Sequence, residues 1–135
     1  MHISLIKIPK IEDPRGNLSV IEKECIPFEI KRVYYLYDVP AGAERGGHSH
    51  IELKEFLVAL SGSFDVILND GVHEKAVTLN KPYEGLLIEN GIWRELKNFS
   101  SGAVCLVVAS SIFEEEDYIR DFDEFLASKL SSNNF

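Results

Sequence analysis

The chain has 135 residues, enough for one domain with a buried core. It is 45% hydrophobic and 27% charged, an ordinary globular balance, and its net charge of −8 opposes general binding to nucleic acid or anionic membrane surfaces, whose phosphates it would repel. No apolar run approaches the roughly 18 residues that span a bilayer, the start MHISLIKIPKIEDPRG lacks a secretory h-region, and Cys25 and Cys105 read as free thiols of a cytoplasmic protein.

Turn chemistry cuts the sequence into short strands. Ile3–Ile8 and Leu18–Ile21 flank EDPRGN, a stretch of turn formers. IKRVYYLYDV (Ile30–Val39) is β-branched and aromatic, and PAGAERGG ends it. EFLVAL precedes Ser61-Gly62, and SFDVILNDGVHEKAVTL then carries Asp70-Gly71 between alternating runs, which predicts a tight hairpin. GLLIENGIWREL follows. AVCLVVASSIF is so continuously apolar that it predicts a strand buried on both faces. Short strands at this spacing predict a sandwich or barrel. From Glu114, EEEDYIRDFDEFLASKL places apolar residues at 118, 119, 122, 125, 126 and 130, a helical spacing with acids in the first turn. That helix is expected to pack on a sheet edge. Residues 1–130 read as one domain without repeat or linker, and 131–135 as a frayed, flexible tail.

The chemistry concentrates in GAERGGHSHIELKEFLVALSG, Gly42–Gly62. His48 and His50 are two residues apart, so on a strand both rings point to one face. With Glu55 they are either three metal ligands or an acid–base group. The run Gly42, five residues, His48-Ser49-His50, four residues, Glu55, six residues, Gly62 resembles the first motif of the cupin superfamily. The second cupin motif normally ends in Pro-x-Gly-x-x-His-x-x-x-Asn. Its counterpart here is ENGIWRELKN, where Glu89 stands for the proline and Arg94 for the histidine. In metal-binding cupins that histidine completes the ligand set. A guanidinium stays charged and has no lone pair to offer, so no metal is expected.

Histidines without a metal move protons: imidazole accepts a proton from carbon beside a carbonyl and returns it. The enolate oxygen then needs donors, which Arg94, Arg45 and the tyrosines of VYYLYD offer. Tyr35 and Tyr37 share one strand face and are the candidates for the pocket, with Tyr34 on the other face.

Taken in order, DPRGNLSVIE, IPFEIKRVYYLYDVPAGAERGGHSH, GIWREL and VVASSIFEEEDYIRDFDEF resemble the dTDP-4-oxo-6-deoxyglucose 3,4-ketoisomerases within the cupins. The resemblance implies an all-β, cupin-type jelly-roll β-barrel with a C-terminal α-helix, without cofactor or metal, usually a homodimer. It implies a dTDP-linked 4-oxo-6-deoxyhexose as substrate, with His48 taking the C3 proton and His50 shuttling it or polarising oxygen. Arg15, Arg32, Arg45 and Arg94, with Tyr35 and Tyr37, are the expected substrate-binding residues; a diphosphate on an acidic protein requires cations that converge locally. In the family the residues at positions 15 and 94 are associated with the face of C4 that receives the proton. Arginine at both matches neither simple pairing, which leaves gluco and galacto products open. Two alternatives stand beside this one. A dTDP-4-dehydrorhamnose 3,5-epimerase is expected to be longer and to pair an aspartate with its base, and neither is evident in the sequence. A non-catalytic sugar-nucleotide-binding cupin has no need of two neutral bases on one face.

Overall fold

The computed structural model describes residues 1–22 and 24–132, Ser132 for its backbone alone. Twelve strands precede one helix. They are β1 (Ser4–Lys7), β2 (Lys10–Ile11), β3 (Leu18–Ser19), β4 (Arg32–Leu36), β5 (Arg45–His50), β6 (Glu55–Ser61), β7 (Phe64–Asn69), β8 (Glu74–Leu79), β9 (Glu84–Ile88), β10 (Trp93–Lys97), β11 (Val104–Ala109) and β12 (Tyr118–Ile119), followed by α1 (Phe122–Ser132). Two five-stranded antiparallel sheets form, ordered β1-β9-β6-β11-β4 and β12-β5-β10-β7-β8, and β2 and β3 make a separate two-stranded ribbon. Each sheet is open: among the described residues none closes into a barrel, and β1, β4, β12 and β8 are edges.

Alternation decides which side chains meet between the sheets. Leu57 and Ala59 of β6, Leu86 and Ile88 of β9, and Cys105 and Val107 of β11 face Phe64, Val66 and Leu68 of β7, Leu79 of β8 and Leu96 of β10 in one buried cluster. Each such side chain contributes roughly 1.5–3 kcal/mol by leaving water. The other face of the first sheet is also covered. Ile8, Ile26 and flanking side chains of the N-terminal segment pack on Phe56, Val58, Leu87 and Val108. That is why β11 is apolar almost throughout, as its sequence suggests. Gly85 is required here: a Cβ at this position would land in the Phe56 ring. Cys25 and Cys105 are both free thiols.

The Asp70-Gly71 hairpin forms, but with a four-residue loop at 70–73, because β7 and β8 pair only as far as Asn69 and Glu74. The Asp70 carboxylate accepts the N–H groups of Val72 and His73 at 2.9 and 2.7 Å, which stabilises the wider turn. His73 is exposed on that loop.

The tail corrects the helix expected from Glu114. Residues 115–117 make a 3₁₀ turn, Tyr118–Ile119 is a strand, and the helix begins only at Phe122. Asp121 caps it, its Oδ1 accepting the N–H groups of Asp123 and Glu124 at 2.8 and 3.3 Å. Tyr118 and Ile119 pair with His50 and Ser49, so the edge of β5 competes successfully for their backbone groups. The helix lies on the outer face of β10, Phe122 and Phe125 against Trp93 with ring centroids 5.2 and 5.7 Å apart. It continues through Ser131 and Ser132, two of the residues expected to fray; 133–135 of that tail lie outside the described residues.

Candidate active site

At one end of the sandwich the apolar interior gives way to polar side chains. Ser49, His50, Glu55 and Arg94 are the buried polar residues of the described chain. Glu55 lies on the same face of β6 as Leu57, and Arg94 on the same face of β10 as Leu96, by the two-residue period of a strand. The glycines before the histidines set the register of β5. Gly46 and Gly47 have φ of +84° and +69°, conformations that a side chain would strain. They form a bulge, so that Gly46 lies opposite Glu95 while His48 lies opposite Arg94. Arg94 therefore occupies the place across from the histidine pair that its motif position suggests.

A chain of hydrogen bonds runs through the site. The Tyr34 hydroxyl donates to Glu55 Oε2 at 2.6 Å, and Arg94 Nη1 donates to Oε1 at 2.6 Å. Arg94 Nε and Nη2 donate to the Ile92 carbonyl at 3.2 and 2.9 Å. The guanidinium is 1% exposed, so its charge and that of Glu55 compensate each other away from water. Burial and the Glu55 charge push the Tyr34 phenol far above its usual range, so it stays protonated.

The two imidazoles meet edge to face, centroids 4.8 Å apart, and the Tyr118 ring lies 5.0 Å from His48 and 4.4 Å from His50. His50 Nδ1 is 3.2 Å from Asp117 Oδ2, and its Nε2 lies 3.9 Å from Glu55 Oε1. Among the described residues the Nε2 atoms of both histidines are buried without a hydrogen-bond partner. Burial, then Arg94 and the neighbouring His50, lower His48 to about 3. Burial, then Arg94, Arg32 and Arg120, lower His50 to about 3 as well. Both rings are therefore neutral near pH 7 and able to accept a proton.

The donor atoms of His48, His50 and Glu55 lie within 4.8 Å of one another, a ligand-like grouping. It does not suit a divalent ion. Both Glu55 oxygens already accept hydrogen bonds, and the buried Arg94 cation lies against them.

A cavity of 70 Å³ opens beside His48, lined by Tyr34, Arg45, Gly46, Glu55 and Arg94 among others. It has room for about two water molecules.

Residues 1–130 match the family model described as "WxcM-like, C-terminal". A TDP-4-oxo-6-deoxy-alpha-D-glucose-3,4-oxoisomerase of Aneurinibacillus thermoaerophilus is 44% identical over 126 residues, covering 93% of this chain and 91% of the relative. A 3,4-ketoisomerase from Helicobacter canadensis superposes with a TM-score of 0.92 at 45% identity, over 96% of this chain and 98% of that one. A histidine-to-asparagine variant of the Thermoanaerobacterium thermosaccharolyticum 3,4-ketoisomerase, solved with TDP-4-keto-6-deoxyglucose, superposes with a TM-score of 0.94 at 40% identity, over 98% and 97%. This chain belongs to the sugar 3,4-ketoisomerase family.

Of the residues expected to serve a ketoisomerase, the fold brings His48, His50, Arg94 and Arg45 to one place. Arg32 is close by, its guanidinium 4.4 Å above the Tyr34 ring and 5.4 Å from that of Phe113. The other expected residues lie away from the histidine cavity within this chain. Tyr35 and Tyr37 are each 60% exposed and lie on the far side of β4, against each other; Tyr34 is the phenol that turns inward. Arg15 is on the β2–β3 turn, paired with Asp13 at 2.9 Å with its side chain 89% exposed, and does not line the histidine cavity. Asp117, Tyr118 and Arg120 were not singled out from sequence. The adjacent D-Y-I-R is their signal, but its apolar positions also fit the helical spacing, and the carboxylate that meets His50 lies within it.

Proposed function

We propose that this ketoisomerase converts dTDP-4-oxo-6-deoxy-α-D-glucose to a dTDP-3-oxo-6-deoxyhexose by proton transfer between neighbouring carbons. The observation that carries the reading is the pair of neutral imidazoles with unpartnered Nε2 atoms. They lie beside a carboxylate already neutralised by Arg94. His48, at the cavity wall, is the base. Its Nε2 takes the proton from C3, the C3–H electron pair becomes the C3–C4 double bond, and the C4 carbonyl becomes an enediolate oxygen. A proton passes from O3 to O4, C4 is reprotonated, and the ketone is left at C3. No net oxidation occurs. His50 relays protons behind His48.

No metal takes part, since Arg94 holds the seat that a fourth ligand would need. Arg32 and Arg45 meet the diphosphate. The barrel of the jelly-roll cupins is the architecture to which the two open sheets correspond. Arg15, Tyr35 and Tyr37 serve binding through a homodimer in which the N-terminal strands exchange. Exposed Ile11, Leu18, Val33, Tyr35 and Tyr37 supply the apolar surface for that contact. The protein works in the cytoplasm ahead of a PLP-dependent 3-aminotransferase; none of the described helices is long and apolar enough to cross a membrane.

The Asp117–His50 contact favours one further reading, a 3,5-epimerase, which also removes a proton beside a C4 ketone. Incubation with dTDP-4-oxo-6-deoxyglucose in D₂O separates the two. The expected result is a C3 ketone with C5 unexchanged, undiminished by chelators and abolished in His48→Asn, which should retain dTDP affinity within severalfold. Deuterium at C5 with the ketone still at C4 would replace this reading by the epimerase.

A further inference from the structure

Asp117 stands 67 residues from His50 in the chain and is brought to it by β12. Its carboxylate is held from several sides. Oδ1 accepts the backbone N–H of Glu52 at 2.8 Å, Oδ2 accepts that of Leu53 at 3.2 Å, and the Asp117 carbonyl accepts the N–H of Ile51 at 2.9 Å. The segment is braced further by Arg120, which bonds Glu115 at 2.8 and 3.0 Å and lies 4.1 Å over the Tyr118 ring. An ionised carboxylate only accepts hydrogen bonds, so the ring nitrogen facing Oδ2 must carry the proton. That nitrogen is Nδ1, which leaves Nε2 with a lone pair on the side of Glu55.

The ring of His48 meets that of His50 edge to face, centroids 4.8 Å apart, and its Nε2 is likewise buried without a partner. A buried polar atom without a partner is costly, and here two occur side by side.

We propose that Asp117 is a positioning residue that fixes the tautomer of His50, so that its Nε2 is left bare beside the ring of His48. Its second effect is to stabilise the imidazolium when His50 takes the relayed proton. In the wrong tautomer, with hydrogen on Nε2, His50 could donate a proton but not receive one from His48. The catalytic part of this proposal rests on the isomerase reading; the tautomer does not.

Nitrogen-15 NMR of the histidine rings tests both parts. In the ligand-free wild-type protein, His50 should show a protonated Nδ1 and a bare Nε2. Asp117→Asn keeps an oxygen for the Glu52 N–H but turns an amide N–H toward His50 Nδ1, so the proton should move to Nε2. Turnover should then fall about 10²- to 10⁴-fold, the usual weight of an acid–base group, with KM changed less than severalfold. Asp117→Glu, which retains a carboxylate, should keep more activity than Asp117→Asn. A wild-type His50 protonated on Nε2 overturns the proposal whether or not the variant folds, and so does a folded Asp117→Asn protein with full kcat. If the tautomer switches as expected but the wild type moves no ketone, the isomerase reading falls and the positioning role stands.

Discussion

The two ends of this sandwich are built from the same strands and filled in opposite ways. At one end Phe64, Val66, Leu68, Leu79 and Phe99 exclude polar atoms altogether. At the other, β6 contributes Glu55 where two residues later it contributes Leu57, and β10 contributes Arg94 two residues before Leu96. The apolar end is stabilised by leaving water. The polar end stays buried because its charges are met: the Glu55 carboxylate by a phenol and a guanidinium, and the Asp117 carboxylate by backbone N–H groups and the His50 ring. The Glu55, Arg94 and Asp117 charges each have a partner there, while the Nε2 atoms of His48 and His50 are left without one.

Breaking one charge is the strongest challenge to that contrast. Arg94→Met leaves Glu55 ionised and unpaired in the interior and should cost about 3–5 kcal/mol in urea unfolding. Adding Glu55→Met in the same protein should recover most of that loss while activity stays absent. If the single variant unfolds at the wild-type urea concentration, the polar end does not depend on cancellation.

Acid supplies an effect of comparable size. The two histidines titrate near 3 in the folded protein against 6.5 in the open chain, so the unfolded state binds more protons between those values. Their contribution is complete above pH 6.5 and is lost as pH falls toward 3, on the order of 1 kcal/mol per pH unit for each ring. Unfolding curves across that window should be steeper in pH for the wild type than for His50→Gln. Equal slopes would mean that His50 protonates as easily in the fold as outside it.

The smallest effect sharpens the apolar side. Gly85→Ala forces the Phe56 ring out of its place and should lower stability by about 1–3 kcal/mol, read as a fall in Tm. The histidine site, on the opposite side of that sheet, should keep its tautomers.

Period and turn chemistry are local, and from them the sequence alone determined most of the strands, the shared face of His48 and His50, and the cation at position 94. The same period separates Tyr34 from Tyr35 and Tyr37 but does not say which face is inside. That sign is decided by what packs on each side of β4, and it put Tyr34 on Glu55. The helical spacing after Glu114 was misleading over residues 115–119, because an unpaired edge of β5 offered those backbone groups a better set of partners than a first helical turn. Only the tertiary structure could decide that Asp117 meets His50, since the contact joins residues 67 apart and depends on how two strand edges align. Local preferences act through neighbours in the chain, whereas charge cancellation and proton placement depend on neighbours in space.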